Sequence, residues 1–110
     1  MEIIEEIQED IKIFRLKGRL DSNSSQELED ELFRAISDGS KKIIVDFENL
    51  DYISSAGIRV FFKVNRALLS EDGRVILCSM HKYIRETFKT TGIDTFVPIL
   101  DTMAQALEAF

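Results

Sequence analysis

The segment KKIIVDFENLDYISSAGIRVFF, residues 41–62, contains the pattern that decides the fold. Its Ile43-Ile44-Val45 run is short and almost continuously apolar, which is typical of a strand buried in a parallel sheet. After a polar loop, Ser54 and Ser55 precede apolar residues at helical spacing, which continue to about Ser70. The segment therefore predicts one strand–loop–helix unit of an α/β protein.

The rest of the chain also alternates strands with helices. Segments of alternating polarity at 3–7 and 11–16 flank a polar triplet and predict an antiparallel hairpin. The other predicted elements are a helix begun by a capping box of Ser24 and Glu27 and ended by Asp38-Gly39, a strand over 74–78, a helix over 83–89, a strand over 95–100 and a helix capped by Asp101. We therefore predict one α/β domain over residues 1–110, with a mostly parallel four- to five-stranded sheet, an N-terminal antiparallel edge hairpin and about four helices.

Composition and charge narrow the class of function. The net charge of −6 disfavours nucleic acid, whose binding depends on lysine and arginine. No apolar run reaches the roughly 18 residues that cross a bilayer, and the N-terminus lacks a signal-peptide pattern, so we expect a cytoplasmic protein with no membrane partner. Cys78 is the only cysteine, and no histidine–cysteine cluster has metal-ligand spacing. Neither a metal nor a cofactor is expected.

Parallel sheets usually act on ligands and partners at the loops that follow their strands. These loops are predicted at 18–24, 47–55, 78–81 and 100–102. In the second loop, Ser54 and Ser55 lie where a helix begins, and spacing alone is explained equally well by an ordinary helix cap and by a functional site. The neighbouring pairs Tyr52-Ile53 and Ala56-Gly57 favour the functional site, because they allow close packing that holds both hydroxyls at one surface corner.

A phosphate on either hydroxyl would meet the amino-terminal end of a helix, which tolerates anions. The local fold would persist, while the surface would gain a charge of about −1.5 to −2. Four carboxylates are expected near this corner, those of Asp21, Asp46, Glu48 and Asp51. We expect the added charge to expel a partner that docks apolar or acidic groups there.

One stripe of the helix after Ser55 is a candidate contact surface. Ile58, Phe62 and Leu69 fall beside the stripe whose spacing predicts the core. These residues either extend the core under a neighbouring helix, or Ile58 and Phe62 form an apolar patch for a partner next to Ser55.

The stretch from Tyr52 to Val60, preceded by Val45-Asp46, resembles the signature of STAS domains, specifically of bacterial anti-sigma factor antagonists. The resemblance covers nearly the whole chain and implies the STAS fold over residues 1–110. Its flanking matches are Gly18, Leu20 and Asp21, Gly73 with Val75 to Leu77, Gly92 with Phe96, and the closing Ala-Leu helix. The commoner family form places an aspartate directly before the phospho-acceptor serine. Ser54 takes that place here, which makes it a second candidate acceptor.

The resemblance implies a partner-switching protein that is not an enzyme. In the family, the unphosphorylated antagonist binds an anti-sigma factor that is also a serine kinase, and sigma factor is released. The kinase inactivates the antagonist by phosphorylating one serine at the start of the second helix, and a metal-dependent serine phosphatase restores it. Carried onto this chain, the acceptor is Ser55. The implied partner-binding residues are Asp21, Ser54, Ser55, Ala56, Gly57, Ile58 and Phe62.

Two other functions stay open at this stage, as does the oligomeric state, which is a monomer or a weak dimer. The chain could be a ligand-binding or scaffolding STAS subunit of a transport or signalling complex, in which the same serine contacts a partner without being phosphorylated. It could also be a hydrolase that uses Ser55 with His81, the only histidine. A surface or capping role for His81 is favoured, because the chain lacks residues to orient such a catalytic pair.

Overall fold

Five strands form a single sheet in the computed structural model, which describes residues 1–110. The strands are β1 (Glu2–Gln8), β2 (Ile11–Leu20), β3 (Lys42–Ile53), β4 (Arg74–Cys78) and β5 (Ile99–Leu100). They lie side by side in chain order, with β1 antiparallel to β2 and each later neighbouring pair parallel. The predicted parallel sheet with an antiparallel hairpin at one edge is confirmed.

Helices cover both faces of the sheet. They are α1 (Ser25–Ser37), α2 (Ser55–Leu69), α3 (Lys82–Lys89) and α4 (Met103–Glu108). The larger core lies under α1, α2 and α3, where the rings of Phe47, Phe61 and Phe88 pack with centroids 5.4 to 5.8 Å apart. A smaller cluster lies under α4 on the opposite face. No helix in the chain combines the length and the apolar character that crossing a membrane requires.

Both β2 and β3 continue beyond their predicted ends. The loop expected over 47–55 is strand as far as Ile53, and both Leu50 and Ile53 are buried. β2 extends beside it to Leu20 through two shifts of register. This extension depends on pairing between distant parts of the chain, which a local pattern rich in charged residues does not reveal. As a result, the ends of two strands reach the start of α2.

The strand predicted over 95–100 is wrong in its first half. Ile93–Thr95 forms a 3₁₀ turn, and the N–H groups of Phe96 and Val97 both donate to the carbonyl of Ile93. These turn bonds leave only Ile99–Leu100 to pair with β4.

Two helix caps also differ from the prediction. Ser24 makes no side-chain cap to α1, because its backbone is helical (φ −95°, ψ −14°) instead of extended as a capping residue requires. At α4 the cap is Thr102, whose hydroxyl accepts from the N–H of Gln105 at 3.1 Å, so Asp101 is not the cap.

Candidate functional site

Ser54 is the capping residue of α2. Its backbone is extended (φ −98°, ψ 169°), and its Oγ accepts a hydrogen bond from the N–H of Gly57 at 3.2 Å. Its own N–H donates to the carbonyl of Leu20 at 2.9 Å, which ties the helix start to the end of β2. The Ser54 hydroxyl is therefore half-buried and engaged in holding the helix.

Ser55 is the first residue of α2, and its side chain is exposed. No hydrogen bond within the chain engages its hydroxyl, in contrast to that of Ser54. The two neighbouring serines thus differ in environment, since one oxygen caps the helix and the other is free at the surface. This difference favours Ser55 over Ser54 as the group available for chemistry.

Gly57 allows α2 to approach the sheet closely. A Cβ atom at this position would lie 2.7 Å from Cγ of Leu20 and 3.1 Å from Cγ1 of Ile53, distances too short for ordinary contact. Both of those side chains are buried at the ends of β2 and β3. The close packing expected from the Ala56-Gly57 pair is therefore present at Gly57, and it fixes the corner that presents Ser55.

A shallow cleft of about 280 Å³ opens beside Ser55. Its lining combines α2 residues with the end of α3: Ser55, Ile58, Arg59, Phe62, Thr87, Thr90 and Thr91. Sequence reasoning missed the threonines, because only the packing of α3 beside α2 brings them near. Arg59 could have been found from its spacing, since residues four apart lie on the same side of a helix.

The apolar residues on this side of α2 divide into two groups. Ile58 is 4% exposed and belongs to the core, as one of the two interpretations of its stripe predicted. Phe62 is 37% exposed, as the other interpretation predicted, and Leu69 is 60% exposed, which neither interpretation predicted. Ile58 can therefore contribute only to the floor of the cleft, while Phe62 is available to a partner.

Asp21 closes the loop before α1. Its Oδ1 accepts from the N–H groups of Asn23 at 3.0 Å and Ser24 at 3.1 Å. The bond from the Ser24 N–H, supported by that from Asn23, lowers the pKa of the Asp21 carboxyl below its ordinary value. Asp21 thus has a structural role in the loop after β2, at the same end of the sheet as Ser55.

Asp46 does not join the acidic patch expected around the serines. It is 3% exposed and lies on the α4 side of the sheet, where its Oδ2 accepts from Nη1 of Arg15 at 2.9 Å. Neighbouring Cys78 is buried, and desolvation raises the pKa of its thiol to about 11. Alternation along β3 causes this placement, because Asp46 points away from the α2 face on which Val45 and Phe47 lie. Glu48 and Asp51 are exposed.

The remaining polar groups do not build a catalytic set around Ser55. Nε2 of His81 lies 2.6 Å from the carbonyl oxygen of Glu48, so the ring is tied to β3. The lining of the cleft at Ser55 includes neither a histidine nor a carboxylate. No group of three or more histidine, cysteine or acidic side chains is arranged to hold a metal ion.

Arg19 is a further residue at this edge that the sequence did not single out. Its guanidinium carbon lies 4.2 Å from the ring centroid of Tyr52, its partner in the register of β2 with β3. This contact places a positive charge beside the loop of Asp21, close to the strand end that leads to Ser54. No local pattern predicts the contact, because it depends on the extension of both strands.

Comparisons with known proteins agree with this architecture. The family model described as STAS domain matches residues 2–106. BtrV of Bordetella bronchiseptica, named as a candidate anti-sigma factor antagonist, is 34% identical over 95 residues, which cover 86% of this chain and 82% of BtrV. The anti-sigma-B factor antagonist of Staphylococcus aureus is 32% identical over 84 residues, which cover 74% of this chain and 78% of that protein.

Among solved structures, the chain is similar to SpoIIAA of Bacillus, an anti-sigma factor antagonist. Its unphosphorylated form is 25% identical, superposes with a TM-score of 0.77 and is matched over 98% of this chain and 96% of that one. Its phosphorylated form superposes with the same TM-score of 0.77 at 24% identity, over 98% of each chain.

Proposed function

Because the chain belongs to the STAS domain family, we propose that it is an anti-sigma factor antagonist that phosphorylation of Ser55 switches off. In its unphosphorylated form it binds an anti-sigma factor that is also a serine kinase, and sigma factor is released. A metal-dependent serine phosphatase reverses the modification. The proposed site of action is the cytoplasm, where sigma factors work, and residues 1–110 act as one STAS domain.

The observation that supports this proposal most directly is the environment of Ser55. Its hydroxyl is exposed and free of hydrogen bonds, at the first position of a helix whose cap is provided by Ser54. A kinase can therefore modify Ser55 without removing the group that holds α2. A phosphate at the start of this helix is compatible with the dipole, so the modification changes the charge of the surface and leaves the fold in place.

The proposed partner surface surrounds Ser55 at the carboxyl ends of β2 and β3. It combines the exposed Phe62, the start of α2 and the loop of Asp21, while the buried Gly57 and Ile58 support it from beneath. The printed descriptions of SpoIIAA record both a phosphorylated and an unphosphorylated form of that relative. The existence of both forms in that relative supports a phosphorylation switch in this chain.

The direct test is incubation of the chain with the candidate kinase and ATP, followed by mapping of the modified residue. We expect label on Ser55, and label that persists in Ser54→Ala but not in Ser55→Ala. Absence of label from both serines would contradict the switch and favour the scaffolding alternative.

Binding to the same kinase gives a second readout. Ser55→Ala is expected to bind constitutively, and Ser55→Asp at least about tenfold more weakly, because like charges are placed at the contact. Ser37→Asp, which changes an exposed serine of α1, is the matched control for added charge and should bind as the wild type does. Equal affinities of Ser55→Ala and Ser55→Asp would count against the mechanism.

A further inference from the structure

A second, larger concavity lies farther along α2. It has a volume of about 1010 Å³ and lies where Phe33 of α1 and Phe96, after the 3₁₀ turn, flank the outer side of α2. Phe62, Leu69 and Phe96 all line it, and they are 37%, 60% and 67% exposed. Three large apolar side chains are thus exposed in one groove, an arrangement typical of a surface that another protein covers.

The rim of this α2 groove is positive, although the chain as a whole has a net charge of −6. Lys63 and Arg66 line the groove, and Arg59 lies one helical turn before Lys63. Nζ of Lys63 lies 3.0 Å from Oε1 of Glu29, whereas Arg59 and Arg66 form no ion pair within the chain. Two exposed guanidinium groups beside an apolar groove are complementary to carboxylates on an apolar ligand.

The α2 groove and the cleft at Ser55 adjoin each other at Phe62. Phe62 lines both of them, and Arg59 lies in the cleft on the same helix as Arg66. A ligand that follows α2 would therefore extend from the groove to the hydroxyl of Ser55.

We propose that the α2 groove docks an acidic amphipathic helix of the partner kinase, which modifies Ser55 and is displaced by that modification. The exposed phenylalanines and Leu69 would receive the apolar side of that helix, and Arg59 and Arg66 would pair with its carboxylates. A second copy of this chain fits less well, because two grooves facing each other about a twofold axis would oppose arginine to arginine.

This inference rests on the proposed function and gives the switch a physical cause. A phosphate on Ser55 lies one helical turn from Arg59 and competes with the partner's carboxylates for that guanidinium. It also repels the acidic side of the docked helix. One modification would therefore both remove an attraction and add a repulsion.

The first test uses two synthetic 18-residue amphipathic helices, with leucine on one side and either glutamate or lysine on the other, and measures their binding to the full chain by fluorescence anisotropy. We expect the glutamate peptide to bind more tightly, against the net charge of the chain. Arg66→Glu should weaken its binding at least tenfold. Lys17→Glu, which makes the same charge change at an exposed lysine of β2 outside the groove, should not. Equal or tighter binding of the lysine peptide, or no effect of Arg66→Glu, would overturn the inference.

The second test measures binding to the kinase that labels Ser55, and it separates the groove from the switch. If Ser55→Asp weakens kinase binding and Arg66→Glu does not, the groove inference fails while the proposed function stands. If Arg66→Glu weakens binding while Ser55→Ala and Ser55→Asp bind equally, the groove stands and the switch fails. Light scattering completes the test, since a dimer of the wild type that Arg66→Glu dissociates would assign the groove to a second copy.

Discussion

The pattern Asp-x-x-Ser-Ser occurs twice in this chain, at 21–25 and at 51–55, and each time its last serine is the first residue of a helix. In the first copy the Ser24 hydroxyl turns back into the loop, where it donates to the carbonyl of Arg19 at 2.9 Å and accepts from the N–H of Asp21 at 3.0 Å. The hydroxyl of Ser25 donates to the carbonyl of Ser22 at 3.3 Å. Both serines of the first copy are therefore used by the loop.

The second copy has the opposite arrangement. Asp51 lies on β3 and is exposed, Ser54 is extended and caps α2, and Ser55 is left free. The difference arises because the residues between are Ser and Asn in the loop but Tyr and Ile in a strand. Identical spacing thus produces a closed loop in one place and an available hydroxyl in the other. Of these two helix starts, only the second leaves a serine hydroxyl free of hydrogen bonds.

The largest effect is expected where the second helix start meets the sheet. Gly57→Val adds three carbon atoms at a point where even one lies 2.7 Å from Leu20, and we expect the free energy of unfolding to fall by about 3 kcal/mol. Unfolding in urea, monitored by circular dichroism, measures this free energy. The corresponding position of α1 is the exposed Glu27, so Glu27→Val should cost about 0.5 kcal/mol. Equal losses would show that the two helix starts are packed alike.

Aspartate at Ser24 and aspartate at Ser54 should lower the free energy of unfolding by different amounts. Ser24→Asp cannot donate to Arg19 and brings a carboxylate toward Oδ1 of Asp21, now 3.2 Å from the hydroxyl, so we expect a loss of about 1 to 2 kcal/mol. Ser54→Asp keeps an oxygen that can cap α2 and should stay within about 0.5 kcal/mol of the wild type.

Ser54→Ala removes the cap and should lower the free energy of unfolding by about 1 kcal/mol. This loss is the reference against which the two aspartate variants are compared. The same urea titration measures all three variants. If Ser24→Asp proved as stable as Ser54→Asp, the loop bonds of the first copy would not contribute to stability.

The smallest expected effect is a loss of stability at low pH, when the Asp21 carboxylate is protonated. Because hydrogen bonds from Ser24 and Asn23 lower the pKa of Asp21 in the folded chain, its carboxylate stabilises the fold. That contribution is complete above the unfolded value of 3.8 and is lost as the pH falls from there through the lower folded pKa.

Asp21→Asn should flatten the acid side of the stability profile and shift the urea midpoint down at pH 7. Asp51→Asn is the matched control, which removes no hydrogen bond and should leave the midpoint at pH 7 unchanged. A carboxyl of Asp21 that titrates at or above 3.8 in an NMR experiment would contradict the bonded loop.

Much of the fold follows from local pattern, and much of the site does not. The apolar runs at 43–45 and 75–77 predict two central strands, and the spacing of α2 predicts a helix that starts at Ser54-Ser55 and ends near Ser70. The continuation of β3 to Ile53 escapes such reasoning, because it depends on pairing with β2. Asp46 is misplaced for a different reason, because strand alternation, which is local, sets its side of the sheet, and the bond with Arg15 of β2 holds it there.

Within the site, the choice between two adjacent serines needed backbone geometry. Sequence spacing places Ser54 and Ser55 equally at the helix start, whereas the dihedral angles of Ser54 assign it the cap. The α2 groove joins residues from three parts of the chain that only packing brings together.

The hydrogen bond from Gly57 to Ser54 also bears on how such a chain changes over generations. Because Ser54 caps the helix, the side chain at position 55 makes no contact that the helix requires. Any residue suited to the first turn of a helix can therefore occupy position 55. A single codon change at position 55 can therefore abolish the proposed modification while the domain still folds. Duplicated copies of the domain can lose or regain such control without repacking their cores.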